Sequence, residues 1–194
     1  NGMSISENTI TTGTGINSFG INFSNGSGLT VSKNTITTNT GINSSKGITT
    51  NGTSLNLTDN IINAGIGGIA GSVGVILNSG GSHTISGNTI NSSNCNVASC
   101  QTGGINLLTS ATLSVSNNTI ISGTCSTTTC TSVGIHITGT PSTSTIANNT
   151  ITAGGAVSQS YGIFLNSAGT KTITGNTITS GTSSGSSSYG VEHI

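Results

Sequence analysis

The sequence predicts an all-β solenoid, a right-handed parallel β-helix of about seven coils of 26–31 residues, on three observations. The tripeptide Asn-Thr-Ile returns at near-constant spacing, a Gly followed by a β-branched residue keeps phase with it, and the residues between alternate apolar with polar. A period of roughly 20 to 50 residues marks a stack of like units rather than a globular domain.

The first marker stands at Asn8-Thr9-Ile10, Asn34-Thr35-Ile36, Asn88-Thr89-Ile90, Asn118-Thr119-Ile120, Asn149-Thr150-Ile151 and Asn176-Thr177-Ile178, with Asn60-Ile61-Ile62 as its variant. Successive Asn positions differ by 26, 26, 28, 30, 31 and 27. The second marker is Gly20-Ile21, Gly47-Ile48, Gly74-Val75, Gly104-Ile105, Gly134-Ile135, Gly162-Ile163 and Gly190-Val191. From each Gly to the next marker Asn the count is 13 to 15, whereas from the Ile to the Gly it drifts from 10 to 14. Insertions therefore gather on one edge.

Between the markers the period is two, as in Leu29-Thr30-Val31-Ser32, Leu55-Asn56-Leu57-Thr58 and Leu113-Ser114-Val115-Ser116, the alternation of a half-buried strand. Gly, Ser, Thr and Asn abound and no apolar stripe of period 3.6 is long enough for a helix. Each unit reads as three short strands: one before the Asn, one at Thr-Ile and one after the Gly. Strands that pair with their counterparts in the next coil make a solenoid, and seven coils at about 4.8 Å give a rod of roughly 34 Å. Residues 1–194 are then one solenoid domain. Its interior holds a column of Ile10, Ile36, Ile62, Ile90, Ile120, Ile151 and Ile178, and a second of Ile5, Val31, Leu57, Ile85, Val115, Ile146 and Ile173.

The marker residues Asn8, Asn34, Asn60, Asn88, Asn118, Asn149 and Asn176 are expected to be structural, since a binding site would be local and these recur in every coil. Asn tolerates the left-handed turn conformation, and stacked Asn side chains can hydrogen-bond along a ladder. The Asn-Thr-Ile and Gly-Ile repeats together resemble the right-handed parallel β-helix repeat of the pectate-lyase-like superfamily, over nearly the whole chain. That resemblance implies the fold. Its members include polysaccharide lyases and hydrolases, phage tailspikes and non-enzymatic bacterial surface solenoids, so the resemblance leaves function open.

Composition excludes several classes of function. There are three Lys, no Arg, three acidic residues and zero formal net charge, so the electrostatic footprint of a nucleic-acid or anionic-membrane partner is absent. No apolar run approaches the ~18 residues of a membrane-spanning helix. No cofactor is expected. Because the chain starts at Asn1, a processed protein or a fragment is expected.

Enzymes of the superfamily imply clustered carboxylates, or a Lys or Arg base with acidic calcium ligands, on neighbouring coils. Here Glu7, Lys33 and Asp59 each precede a marker Asn, and an acid, base, acid salt-bridge ladder is the simplest account. A catalytic pair of Glu7 and Asp59 is disfavoured because Lys33 between them would favour ionisation of both. His83, His136 and His193 fall at three different repeat positions, form no column of metal ligands, and read as surface or turn residues. No Gly-x-Ser-x-Gly elbow with partnered His and carboxylate emerges. The chain is expected not to be an enzyme and to hold no metal.

Cys95 and Cys100 lie seven and twelve residues after Asn88, and Cys125 and Cys130 lie seven and twelve after Asn118. Both pairs thus fall on the insertion edge of adjacent coils, and two disulfide connectivities are geometrically open. Loop-internal pairs, Cys95 with Cys100 and Cys125 with Cys130, are preferred because each long loop brings its own pair. A four-thiolate zinc site is the less favoured alternative. Disulfides point to an extracellular or cell-surface location.

Thr9, Thr11, Thr35, Thr37, Thr150, Thr152, Thr177 and Thr179 form a candidate binding face that resembles the Thr-x-Thr array of β-helical ice-binding proteins, interrupted at Ile61, Asn63, Asn91 and Ile121. Neither end shows an amphipathic helical cap, and unpaired strand edges recruit other chains. The coils are therefore expected to continue, in a longer chain or by end-to-end stacking into a filament. An extracellular structural solenoid is the leading expectation, with end-to-end copies and surface glycans as partners. An ice- or carbohydrate-binding β-helix is the alternative, and a polysaccharide lyase or hydrolase stands behind both.

Overall fold

The computed structural model describes residues 2–139 and 143–194. Three sheets of seven strands run the length of a parallel β-helix, and each strand pairs in parallel with its counterparts in neighbouring coils. One coil is Ser82–Ser86 in the first sheet, Thr89–Ser92 in the second and Gln101–Leu107 in the third. The next is Thr112–Ser116, Thr119–Ile121 and Thr131–Ile137. The third strand of a coil starts before the marker Gly and runs through it, rather than following it as the sequence suggested.

The two apolar columns are in register. Ile85 pairs with Val115, and Ile90 with Ile120. Ile36, Ile62, Ile90, Ile120 and Ile151 are all 0% exposed. Full burial of such a side chain is worth about 1.5 to 3 kcal/mol, and this central column supplies the driving force that the Ser- and Thr-rich exterior lacks.

The Gly marker has a packing cause. A Cβ on Gly104 would lie 2.6 Å from the Gly134 carbonyl oxygen and would overlap the Cγ2 methyl of Ile120. The second-sheet Ile column presses against the third-sheet backbone at this point, so each fixes the other. Gly104→Ala is expected to lower stability by about 1 to 3 kcal/mol through overpacking. In urea denaturation the midpoint falls while the slope stays constant, and an unchanged midpoint would refute the packing account.

Between the first and second sheets the chain turns through a single left-handed residue. That residue precedes the marker Asn: φ is 59° at Glu7, 56° at Lys33, 56° at Asp59, 57° at Asn117 and 56° at Asn148, with Gly87 and Gly175 completing the column. The expectation that the marker Asn itself adopts this conformation is corrected. Its backbone is committed to the next coil, since the Asn88 N–H donates to Asn118 Oδ1 at 2.9 Å while its carbonyl accepts from Thr119 N–H at 2.9 Å.

Insertions lie on the edge between the second and third sheets and are themselves stacked. Single-residue parallel bridges run from Gly41 through Gly67, Cys95, Cys125 and Ala156 to Ser183.

Candidate functional site

The Asn column is a continuous hydrogen-bonded ladder. Asn88 Oδ1 accepts from the Asn60 N–H at 2.8 Å and from Asn60 Nδ2 at 3.0 Å. Asn88 Nδ2 donates to the carbonyls of Leu57 and Ser86, both at 2.9 Å, and to Asn118 Oδ1 at 3.0 Å. The same bonds join Asn8 to Asn34, Asn34 to Asn60, Asn118 to Asn149 and Asn149 to Asn176. Asn34, Asn60, Asn88, Asn118 and Asn149 are buried. Each amide is used up by its neighbours, which leaves nothing of it for a ligand.

Glu7, Lys33 and Asp59 are exposed and occupy the left-handed column just described. No salt bridge closes between them among the described residues, so the predicted salt-bridge ladder is corrected. Their place in the turn directs them into water, where ion pairs hold little free energy.

The second-sheet exterior carries Thr9, Thr35, Thr89, Thr119, Thr150 and Thr177 in one rank and Thr11, Thr37, Thr152 and Thr179 in the other. Thr89 and Thr119 extend the predicted set. The second rank is broken where Asn91 Nδ2 donates to Asn63 Oδ1 at 2.8 Å, and Ile61 and Ile121 stand 47% and 43% exposed.

The cysteines pair within their loops, Cys95 with Cys100 at a Cα separation of 6.4 Å and Cys125 with Cys130 at 5.8 Å, inside the span a disulfide tolerates. With Ala156, Val97 and Val157 they form a small second core under the insertion edge. A staple over so short a loop contributes about 2 kcal/mol in the chain-entropy account. The double variant Cys125→Ala, Cys130→Ala is expected to lose about that much in urea with its far-ultraviolet circular dichroism intact; loss of the β signal would contradict a merely local role.

His193 is exposed, in keeping with the surface reading, whereas His83 and His136 depart from it. His83 is buried, in register with Leu55 and Leu113, and its Nε2 donates to the Ser79 carbonyl at 3.0 Å while Nδ1 has no partner. Burial lowers its pKa, partly countered by the Ser79 bond. His136 stands on the outer face of the third sheet within a polar and aromatic cluster.

Two outward ranks build that cluster. Gly103, Val133, Tyr161 and Tyr189 form one, and Asn106, His136, Phe164 and Glu192 the other. Tyr161 stacks on Tyr189 with centroids 5.6 Å apart and on Phe164 at 4.6 Å, and Phe164 lies 5.1 Å from the His136 ring. Asn106 Nδ2 donates to Gln101 Oε1 at 3.1 Å, and Gln101 Nε2 faces His136 Nδ1 at 3.2 Å. Because the Gln nitrogen can only donate, His136 Nδ1 accepts and its proton sits on Nε2. Gly103 is what lets the Asn106 amide lie flat, since a Cβ there would come within 2.7 Å of Asn106 Oδ1.

The relay leaves one acceptor, Asn106 Oδ1, and one donor, His136 Nε2–H, buried without partners. Burial lowers the His136 pKa to about 4, so the ring is neutral at pH 7. Burial, together with the Glu192 carboxylate that accepts from the phenol, pushes Tyr161 up to about 12. At the opposite end of this face Lys46 lies over the Phe19 ring at 5.5 Å. Sequence reasoning missed the cluster because it counted from the Asn, across loops of unequal length. Counted from the Gly, the same residues fall at the position one before and the position two after it.

Three parallel sheets, a buried Asn ladder and a continuous central core define the class: a parallel β-solenoid with a polar aromatic face. A family model described as right handed beta helix region matches residues 1–120 and 74–192, and the chain belongs to that family. No curated protein and no solved structure matches it.

Proposed function

We propose that this chain is an extracellular, non-catalytic β-solenoid scaffold that presents a saccharide-binding face on the outside of its third sheet. The observation that carries this reading is the Phe164–Tyr161–Tyr189 aromatic run beside the unpaired Asn106 Oδ1 and His136 Nε2–H. Sugar rings have an apolar C–H face that would pack on the half-buried Phe164 and Tyr189 rings, and hydroxyls that both donate and accept, which would meet the buried Asn106 Oδ1 and His136 Nε2–H once the side chains over them shift. Binding rather than cleavage is the reading because glycoside hydrolysis uses two carboxylates flanking the bond, whereas Glu192 is the acidic group of this cluster and is engaged with Tyr161. The two cysteine pairs at disulfide distance support an oxidising, extracellular compartment.

Calorimetric titration with a panel of neutral oligosaccharides tests the proposal. Binding is expected to weaken at least about tenfold in Tyr189→Ala and in His136→Ala, a loss of about 1.4 kcal/mol. Failure of every oligosaccharide to bind, or new reducing ends released by the wild-type chain, would overturn it.

A second reading, end-to-end assembly, is favoured by the ladder's polarity. Asn176 Oδ1 accepts from Asn149, but Asn176 passes its own N–H groups to no further Asn, and Asn8 Oδ1 accepts from none among the described residues. Ile5, Ile10, Ile173 and Ile178 are only partly buried. The two end faces are thus complementary, donors opposite acceptors, around an apolar centre. Sedimentation of the chain across a wide concentration range is expected to show length-wise association; a monomer at every concentration would exclude it.

A further inference from the structure

We infer that the four cysteines form one redox-exchangeable cluster, held as two disulfides when oxidised and as a single tetrathiolate zinc site when reduced. The inference is independent of the saccharide face. Cys95 and Cys125 are bridge partners on adjacent coils, and the two pairs touch, with Cys100 Sγ 3.9 Å from Cys125 Sγ. All four side chains are at most 2% exposed. In tetrahedral coordination a Zn–S bond of about 2.3 Å places the sulfurs about 3.8 Å apart. The contact between coils therefore already has the spacing of a tetrahedral edge, and breaking the bond within each pair frees the other sulfurs to reach it.

The surroundings suit a closed structural site rather than an open catalytic one. Ala156, Val97 and Val157 pack around the sulfurs. An opening of about 330 Å³ reaches Cys125 between Thr124, Ser126 and Gly155 and provides a path for the ion. In the oxidised chain the sulfurs are bonded in pairs, and no metal site is formed among the described residues.

The exchange balances as follows. Each disulfide takes two electrons and two protons from a dithiol, which closes to its own disulfide, and yields two cysteine thiols. Four thiols then bind one Zn²⁺ and release four protons.

The test uses the full chain produced in a reducing cytosol, purified without oxygen, and titrated with Co²⁺ and then Zn²⁺. The reduced chain is expected to take up one Co²⁺ with thiolate-to-metal charge-transfer bands and tetrahedral d–d bands, and to exchange it for Zn²⁺. Oxidation to the disulfide form abolishes the bands, and Cys95→Ser loses the tetrathiolate spectrum. Absence of thiolate bands in the reduced wild type, or the same bands in the oxidised chain or in Cys95→Ser, would overturn the inference. If Cys95→Ser loses its β circular dichroism, the comparison of oxidised with reduced wild type decides alone.

Discussion

Asn88→Ala is expected to destabilise the chain by about 3 to 5 kcal/mol, the largest effect of any single substitution considered. The change removes the acceptor for both the Asn60 N–H and Asn60 Nδ2, and the donor to the Leu57 and Ser86 carbonyls. Asn60 Nδ2 keeps the Val31 and Thr58 carbonyls, but Asn60 and Leu57 are buried, and each buried polar group left unpaired costs about 1 to 3 kcal/mol. Asn8→Ala supplies the control: Asn8 is exposed, and its substitution is expected to cost about 1 kcal/mol or less. Equal losses at the two positions in urea denaturation would show that the ladder is not a buried network.

Acidification is expected to destabilise the fold by about 3 kcal/mol between pH 6.5 and pH 4, on account of His136. Its folded pKa, about 4, lies below the ordinary value of 6.5 because burial disfavours the charged ring. The unfolded chain therefore binds the proton first as pH falls. The stabilisation is complete above about pH 6.5 and is lost progressively down to about pH 4, at about 1.4 kcal/mol per unit. His83 is shifted in the same direction by the same cause and steepens the fall. Stability measured in urea at several pH values is expected to show a shallower slope in His136→Gln. An unchanged slope would mean that His136 is already protonated, or open to water, in the native state.

The parts of the structure that repeat were legible in the sequence, because a solenoid copies each physical requirement once per coil. The Ile column, the Asn ladder, the insertion edge and the pairing of Cys95 with Cys100 and Cys125 with Cys130 are of this kind. The Gly marker was legible as a position, but its reason was not: the collision with the next coil's Ile exists only across sheets. Two errors have a common origin. The left-handed position accepts Glu, Lys, Asp, Asn and Gly, so its residue type carries no signal, and the constant Asn beside it drew the assignment. The third-sheet cluster was hidden because its members differ from coil to coil. The proposed binding face lies where the repeat is broken, at Gln101, Asn106, His136, Phe164 and Tyr161, and residues that do not recur leave no periodic trace.

The ladder also determines how such a molecule can change length. From Asn34 to Asn149 each marker Asn offers its upper neighbour the same two donors and its lower neighbour the same acceptor. Excision of residues 60–87 would bring Asp59 against Asn88 and restore the bonds that Asn34 formerly made with Asn60. Duplication of that stretch would insert a rung without disturbing those above or below. Gain or loss of a single residue within a first-sheet strand, by contrast, turns that strand's inward side chains to the outside. The gene for this fold can therefore grow or shrink in whole turns, each worth about 4.8 Å of rod, and is penalised for anything smaller except on the insertion edge.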